Sequence, residues 1–83
     1  MTTSRTIRVA YYAGLREAAR RSDEVVQSEA ERVVDLYEEL ASRYGFAFPR
    51  DRLKAAVNDE FCDWDSPLRD GDSVAFIPPV AGG

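Results

Sequence analysis

The group in this chain best suited to chemistry is its own C-terminal carboxylate, at the end of the segment FIPPVAGG (76–83). That carboxylate is ionised at neutral pH and can attack the α-phosphate of ATP when a second protein supplies Mg²⁺ and positive charge. The acyl adenylate formed in this way reacts in turn with sulfur or with an amine. The terminus of Gly83 is therefore the candidate reactive site, and the chain would act as a carrier inside the active sites of other proteins.

The residues before the terminus fit that use. Two consecutive prolines cannot donate to a sheet ladder, so they end the last strand and favour an extended segment that points away from the body. The four residues after them would reach roughly 13 Å, at about 3.3 Å per residue. The two glycines lack a Cβ atom, so this end can pass through a narrow channel. We predict an extended, flexible tail over 78–83 that threads into a partner through Pro78, Pro79, Val80, Ala81 and Gly82.

The side chains offer little chemistry of their own. The sequence contains no histidine, and Cys62 is its single cysteine. Nucleophiles activated by histidine, an internal disulfide and a cysteine-rich metal site are therefore excluded. We expect Cys62 to be a half-buried thiol and Trp64 to anchor a loop. We also expect this chain to bind no metal and no cofactor and not to be an enzyme on its own.

Charge and length limit the partners further. The chain has 83 residues and a net charge of −4, with both signs interspersed and Lys54 as the only lysine. Because it lacks the basic footprint that phosphate binding needs, nucleic acid and anionic membranes are poor candidates. Residues 1–7 contain no apolar signal-peptide core, and no apolar run reaches membrane-spanning length. We therefore expect a single cytoplasmic domain, 1–83.

The apolar patterns predict two layers. The stripe in VVDLYEELASRYG predicts one long helix that ends at Gly45, starting either from a capping box between Ser28 and Glu31 or near Arg32. A short helix is expected in LREAARR, after Gly14. Strands are expected at 6–13, 23–27, 53–57 and 73–77, with a short extended piece at 60–63. This order predicts an α+β fold, in which the long helix packs on one face of a mixed sheet of about five strands.

The other face of that sheet is predicted to be open. Alternation turns toward the helix the side chains of Ile7, Val9, Val74 and Phe76. It places on the opposite face Ala10, Tyr12, Lys54, Ala56, Ala75 and Ile77. Phe61 could join them, although the turn before it leaves its orientation open. A face that carries Tyr12, Ile77 and Phe61 indicates a partner interface; scattered apolar residues, normal on monomers, are the alternative.

Several segments together resemble a known family. VAFIPPVAGG at the end, DGD just before it, AAVN at 55–58 and RVAYYAGLRE at 8–17 are similar to the small, sulfur-carrying subunits of molybdopterin synthase. The similarity runs in order over nearly the whole chain, and the ending of the Phe-x-Pro-Pro-Val-small-Gly-Gly type is its most specific part. Arg32 departs from the pattern, because relatives often have a Thr or Ser helix cap there; this bears on local stability and not on the tail.

The resemblance implies a β-grasp, ubiquitin-like fold and a role in molybdenum cofactor biosynthesis. In that family a ubiquitin-activating-type adenylyltransferase uses ATP and Mg²⁺ to adenylate the terminal glycine, here Gly83, and sulfur from a donor protein is installed as a thiocarboxylate. The tail then enters the large subunit of the synthase, where catalytic side chains are expected and where sulfur passes to the cyclic pyranopterin precursor. The family's hydrophobic contact patch falls on Tyr12, Phe61 and Ile77.

Two alternatives remain open at the level of the sequence. The chain could carry sulfur for another pathway, such as thiamin or thiolated tRNA, or could be a ubiquitin-like protein modifier, because an activated acyl group attacked by lysine gives an isopeptide conjugate. It could also be a plain interaction module with an inert tail, because a fold alone does not fix a function.

Overall fold

The computed structural model describes residues 3–78 and confirms the predicted order of elements. The strands are β1 (Arg5–Tyr11), β2 (Asp23–Ser28), β3 (Lys54–Val57), β4 (Glu60–Cys62) and β5 (Ser73–Ile77); the helices are α1 (Ala13–Ala19) and α2 (Val33–Tyr44), with a 3₁₀ turn at Arg50–Arg52. One sheet holds all five strands in the order β2-β1-β5-β3-β4. Strand β5 runs parallel to β1, and the other pairings are antiparallel. Across the described range, neither helix is long and apolar enough to cross a membrane.

The core lies between α2 and one face of the sheet. Alternation in β1 and β5 buries the side chains predicted to face the helix, which are Ile7, Val9, Val74 and Phe76. Helix α2 contributes its apolar stripe, including Leu36, Tyr37 and Leu40. Trp64 stacks on Phe76 with ring centroids 5.9 Å apart, which confirms its expected role as a loop anchor. Cys62 is a half-buried free thiol, also as expected.

The first strand and the first helix meet earlier than the sequence predicts. Strand β1 ends at Tyr11 rather than at residue 13, and α1 begins at Ala13 rather than after Gly14. Ala13 has a φ of 51°, in the left-handed region that an extended strand cannot include. This backbone reversal ends the strand, and α1 then ends at Ala19, before Arg20 with a φ of 61°.

The start of α2 is determined by a distant loop. Arg32 is the N-cap and makes no capping hydrogen bond through its side chain. The amides of Val33 and Val34 instead donate to the carbonyls of Ser66 (3.0 Å) and Trp64 (2.9 Å). Of the two starts considered above, the one near Arg32 is right, and the capping box from Ser28 does not form because Ser28 is the last residue of β2.

Candidate functional site

A groove on the open face of the sheet brings together the three residues predicted to contact a partner. Tyr12, Phe61 and Ile77 all line this depression of about 290 Å³. Tyr12 is 49% exposed and Phe61 is 71% exposed, whereas Ile77 is half-buried. Large apolar side chains with this exposure, gathered around one concavity, are typical of a surface that another protein covers.

The register of the sheet produces the floor of this groove. Ala10 of β1 lies opposite Ala75 of β5, and Ala75 lies opposite Ala56 of β3. The same row continues to Asp23 at one end and Phe61 at the other. Three short side chains on adjacent strands leave the concavity, and the larger side chains form its walls.

Two turns place the exposed aromatic rings. Tyr12 stands between β1 and α1, and its carbonyl accepts hydrogen bonds from the amides of Leu15 (3.1 Å) and Arg16 (3.4 Å). Asn58 and Asp59 connect β3 to β4 with φ values of 52° and 71°, as a two-residue type I′ hairpin turn requires. That short turn settles the orientation of Phe61 that the sequence left open, because it pairs Phe61 with Ala56 on the open face.

Four charged side chains surround the apolar floor. Arg8, Asp23 and Asp59 line the groove, and Lys54 is the cross-strand neighbour of Ile77. Within residues 3–78, none of the four forms an ion pair with another side chain. Positive and negative side chains are therefore both available to a partner. A rim of mixed charge helps to orient a bound protein, whereas a rim of one sign would attract any protein of opposite charge.

A partly buried hydrogen-bond network includes Tyr11, the residue before Tyr12. Oε2 of Glu24 accepts hydrogen bonds of 2.6 Å from the hydroxyls of both Tyr11 and Tyr44, and Oε1 accepts one of 3.2 Å from Arg21. Burial alone would raise the pKa of Glu24, but the two hydroxyls and the Arg21 charge outweigh it and lower that pKa. Burial, followed by the hydrogen bond to Glu24, raises the pKa of Tyr11 and of Tyr44. The network holds the end of β1 in place beside the groove.

Two parts of this arrangement were missed from the sequence. Val25 is 58% exposed and lies opposite Arg8, on the same face as the groove. The alternation in β2, where Val26 is buried, could have predicted that Val25 faces outward. The same alternation turns Glu24 toward the core, and a charged residue at a core-facing position of a strand indicates a buried partner.

The tail begins at the wall of the groove. Ile77 is both a lining residue and the last residue of β5, so the strand ends where the two prolines predicted. Pro78, the next residue, is buried and outside the strand. The predicted reactive terminus, Gly83, and the predicted threading residues Pro79, Val80, Ala81 and Gly82 lie outside the described residues.

The fold and the groove define a small carrier-type domain, and comparison with known proteins identifies its family. The model of the ThiS family matches residues 9–83, and the chain belongs to that family. The molybdopterin synthase sulfur carrier subunit of Escherichia coli (strain K12) is 38% identical over 80 residues, covering 93% of this chain and 99% of that protein.

Solved structures agree with this assignment. A protein of Pyrococcus furiosus, assigned as molybdopterin converting factor subunit 1, superposes with a TM-score of 0.76 at 33% identity, covering 93% of this chain and all 100% of that one. A chain in the complex of subunits 1 and 2 of molybdopterin-converting factor from Helicobacter pylori gives a TM-score of 0.66 at 24% identity, with 94% and 99% covered; this second likeness shows the fold alone. The β-grasp fold predicted from the resemblance is confirmed.

Proposed function

We propose that this chain is the sulfur carrier subunit of a molybdopterin synthase and acts in molybdenum cofactor biosynthesis. The observation that carries the proposal is the convergence of Tyr12, Phe61 and Ile77 on one groove, at the point where the chain leaves the sheet toward Gly83. The E. coli relative that bears this name matches nearly the full length of the chain, which supports the proposal.

The proposed chemistry takes place at the α-carboxylate of Gly83. A carboxylate oxygen attacks the α-phosphorus of ATP on a ubiquitin-activating-type adenylyltransferase, pyrophosphate leaves, and an acyl adenylate forms. Sulfur at the oxidation level of sulfide, delivered by a donor protein, then attacks the acyl carbon, AMP leaves, and the thiocarboxylate of Gly83 forms. The adenylyltransferase supplies the Mg²⁺ and positive charge that stabilise the first of these steps. The chain contributes its terminus and its docking face, and the catalytic side chains are proposed to belong to the partners.

The groove provides the affinity that brings the terminus to each partner. A partner that covers Tyr12 and Phe61 removes their apolar surface from water, and this burial favours association. The part of the tail beyond the buried Pro78, residues 79–82, is then proposed to enter the partner's active site with Gly83 at its tip. We propose the large subunit of the synthase as the partner that receives the sulfur, which passes there to the cyclic pyranopterin precursor. The Helicobacter pylori complex joins subunits of that kind.

Mass spectrometry of the intact chain tests the chemistry. After incubation with ATP, Mg²⁺, the activating enzyme and a sulfur source, we expect a mass increase of about 16 Da, from the replacement of one oxygen by sulfur. The matched control is the chain without Gly83, which should fold normally and gain no mass. Absence of the heavier species, under conditions that modify the E. coli carrier, contradicts the proposal.

A second experiment separates the synthase role from the alternatives. We expect affinity purification of the full chain to recover the large subunit of the synthase, and we expect Phe61→Ala to reduce that recovery. Conjugates between Gly83 and lysine side chains in cell lysate would instead support a protein modifier. Sulfur transfer to thiamin or tRNA precursors, without large-subunit binding, would support a carrier for another pathway.

A further inference from the structure

An arginine patch lies beside the groove, at the turn from α1 into β2. Arg16, Arg20 and Arg21, with Glu17 and Ser22, line a shallow depression of about 400 Å³. Arg21 is held by Glu24 at 3.2 Å and stands over the ring of Tyr44. Among residues 3–78, neither Arg16 nor Arg20 has an ion-pair partner. Two arginines without an ion-pair partner in that range therefore line one depression, with Glu17 as its acidic residue.

Local structure does not account for these two arginines. Both side chains are exposed, Arg16 in the last turn of α1 and Arg20 just past its end, so neither is required by the core. Arg20 also has a φ of 61° at the helix end, a conformation in which glycine is strongly preferred. A positive charge at a helix C-terminus is mildly favourable, but any exposed basic residue nearby would provide that. The chain accepts a local backbone cost at position 20, and within the described residues the Arg20 side chain gains no ion pair in return.

The patch is next to the groove along the backbone, although the two share no lining residue. The amide of Arg16 donates to the carbonyl of Tyr12, whose side chain lines the groove. Ser22 lines the patch, and the next residue, Asp23, lines the groove. The patch therefore lies at the border of the surface that a protein covering Tyr12 would occupy.

We infer that Arg16 and Arg20 form an electrostatic extension of the docking face and receive carboxylate side chains of the partner protein that covers the groove. Guanidinium groups pair with carboxylates through two parallel hydrogen bonds. Exposed pairs of this kind act mainly on the rate and orientation of association. The inference rests on the proposed function and names the partner as a protein with an acidic surface opposite α1.

Stopped-flow measurement of the association rate with the purified large subunit of the same organism's synthase tests this inference. At low ionic strength we expect Arg20→Gln to slow association about threefold, and the double change Arg16→Gln with Arg20→Gln to slow it about tenfold. Near 1 M salt, where the Debye length is about 3 Å, these differences should disappear. Arg52→Gln removes the same charge at an exposed position that lines neither the patch nor the groove, so it is the matched control and should slow association much less.

Arg20→Gly separates docking from folding. Because glycine relieves the positive φ, we expect this variant to unfold at higher denaturant concentration than the wild type, yet to associate as slowly as Arg20→Gln. Equal association rates for the wild type and the double variant at low salt, or an equal loss in Arg52→Gln, overturn the inference and leave the proposed function intact. A wild-type chain that does not bind the large subunit at all overturns the proposed function and this inference together.

Discussion

Phe61 offers the sharpest test of the docking face, because its removal should affect binding and leave folding unchanged. The ring is 71% exposed in the free chain. Removing an exposed side chain of this kind changes the free energy of unfolding by no more than about 0.5 kcal/mol. We therefore expect Phe61→Ala to fold as the wild type does and to bind the large subunit of the synthase much more weakly.

The size of the effect follows from the exposed area. A phenylalanine side chain buries roughly 200 Å² when it is fully covered, and 71% of that is roughly 140 Å². At about 25 cal/mol per Å², complete burial contributes about 3.5 kcal/mol. Because alanine retains part of the contact, we expect a loss of about 1.5–3 kcal/mol, or about 10- to 100-fold in Kd.

Isothermal titration calorimetry against the large subunit measures this loss, with urea denaturation of each variant alongside. Val25→Ala is the matched control, because Val25 is an exposed apolar residue on the same face that does not line the groove. We expect that variant to bind within about threefold of the wild type. A Kd for Phe61→Ala equal to that of Val25→Ala would show that the groove does not receive the partner.

Three further predictions concern the parts of the fold that support the face. Asp59→Gly should stabilise the chain by about 0.5–1 kcal/mol in urea denaturation, because the second position of the type I′ turn has a φ of 71°. Glu24→Gln should lower the free energy of unfolding at pH 7 by about 1–2 kcal/mol. The folded-state pKa of Glu24 is lowered, so its contribution is present above the unfolded pKa of about 4.3 and is lost as the pH falls through the folded-state pKa. Arg32→Ser should shift the Tm by less than about 2 °C, because distant carbonyls already accept two of the first amides of α2.

Each of these has a distinct contradicting outcome. A loss of stability in Asp59→Gly would mean that the aspartate side chain makes a stabilising interaction that outweighs its backbone strain. A constant difference between Glu24→Gln and the wild type from pH 7 to pH 2 would show that the carboxylate is not the source of the stabilisation. A large rise in Tm for Arg32→Ser would show that the loop carbonyls do not satisfy the start of the helix.

Local pattern was enough to predict the two faces of the sheet. Period-two alternation correctly assigned Ala10, Ala56 and Ala75 to the open face. A strand with one face against the core has only one register that buries its apolar side chains, so the other side chains must face outward. It could not orient Phe61, because the residue follows a turn whose length determines the parity of everything after it. The positive φ values of Asn58 and Asp59 show that the turn has two residues, and this length fixes the face on which Phe61 lies.

The parts that could not be predicted depend on contacts between residues far apart in the chain. The start of α2 follows from hydrogen bonds to the carbonyls of Trp64 and Ser66, about thirty residues further along, which no local capping rule includes. The Glu24 network joins β1, β2 and α2 through a single carboxylate. A sequence shows that Glu24 is on the core side, but it does not show which donors meet it there.

The distribution of backbone strain gives an independent reason to regard this face as functional. Between residues 3 and 78, the non-glycine residues with positive φ are Ala13, Arg20, Asn58 and Asp59. Ala13 follows Tyr12, Arg20 lies in the arginine patch, and the other two form the turn that orients Phe61. Glycine at any of these positions would relieve the strain. Unfavourable backbone conformations often cluster at functional sites, and these four lie in the turns that border the groove or the arginine patch, which supports the proposed docking surface. The proposed carrier role needs such a surface, because a partner that acts on the terminus of Gly83 has to be bound by the body of the domain as well.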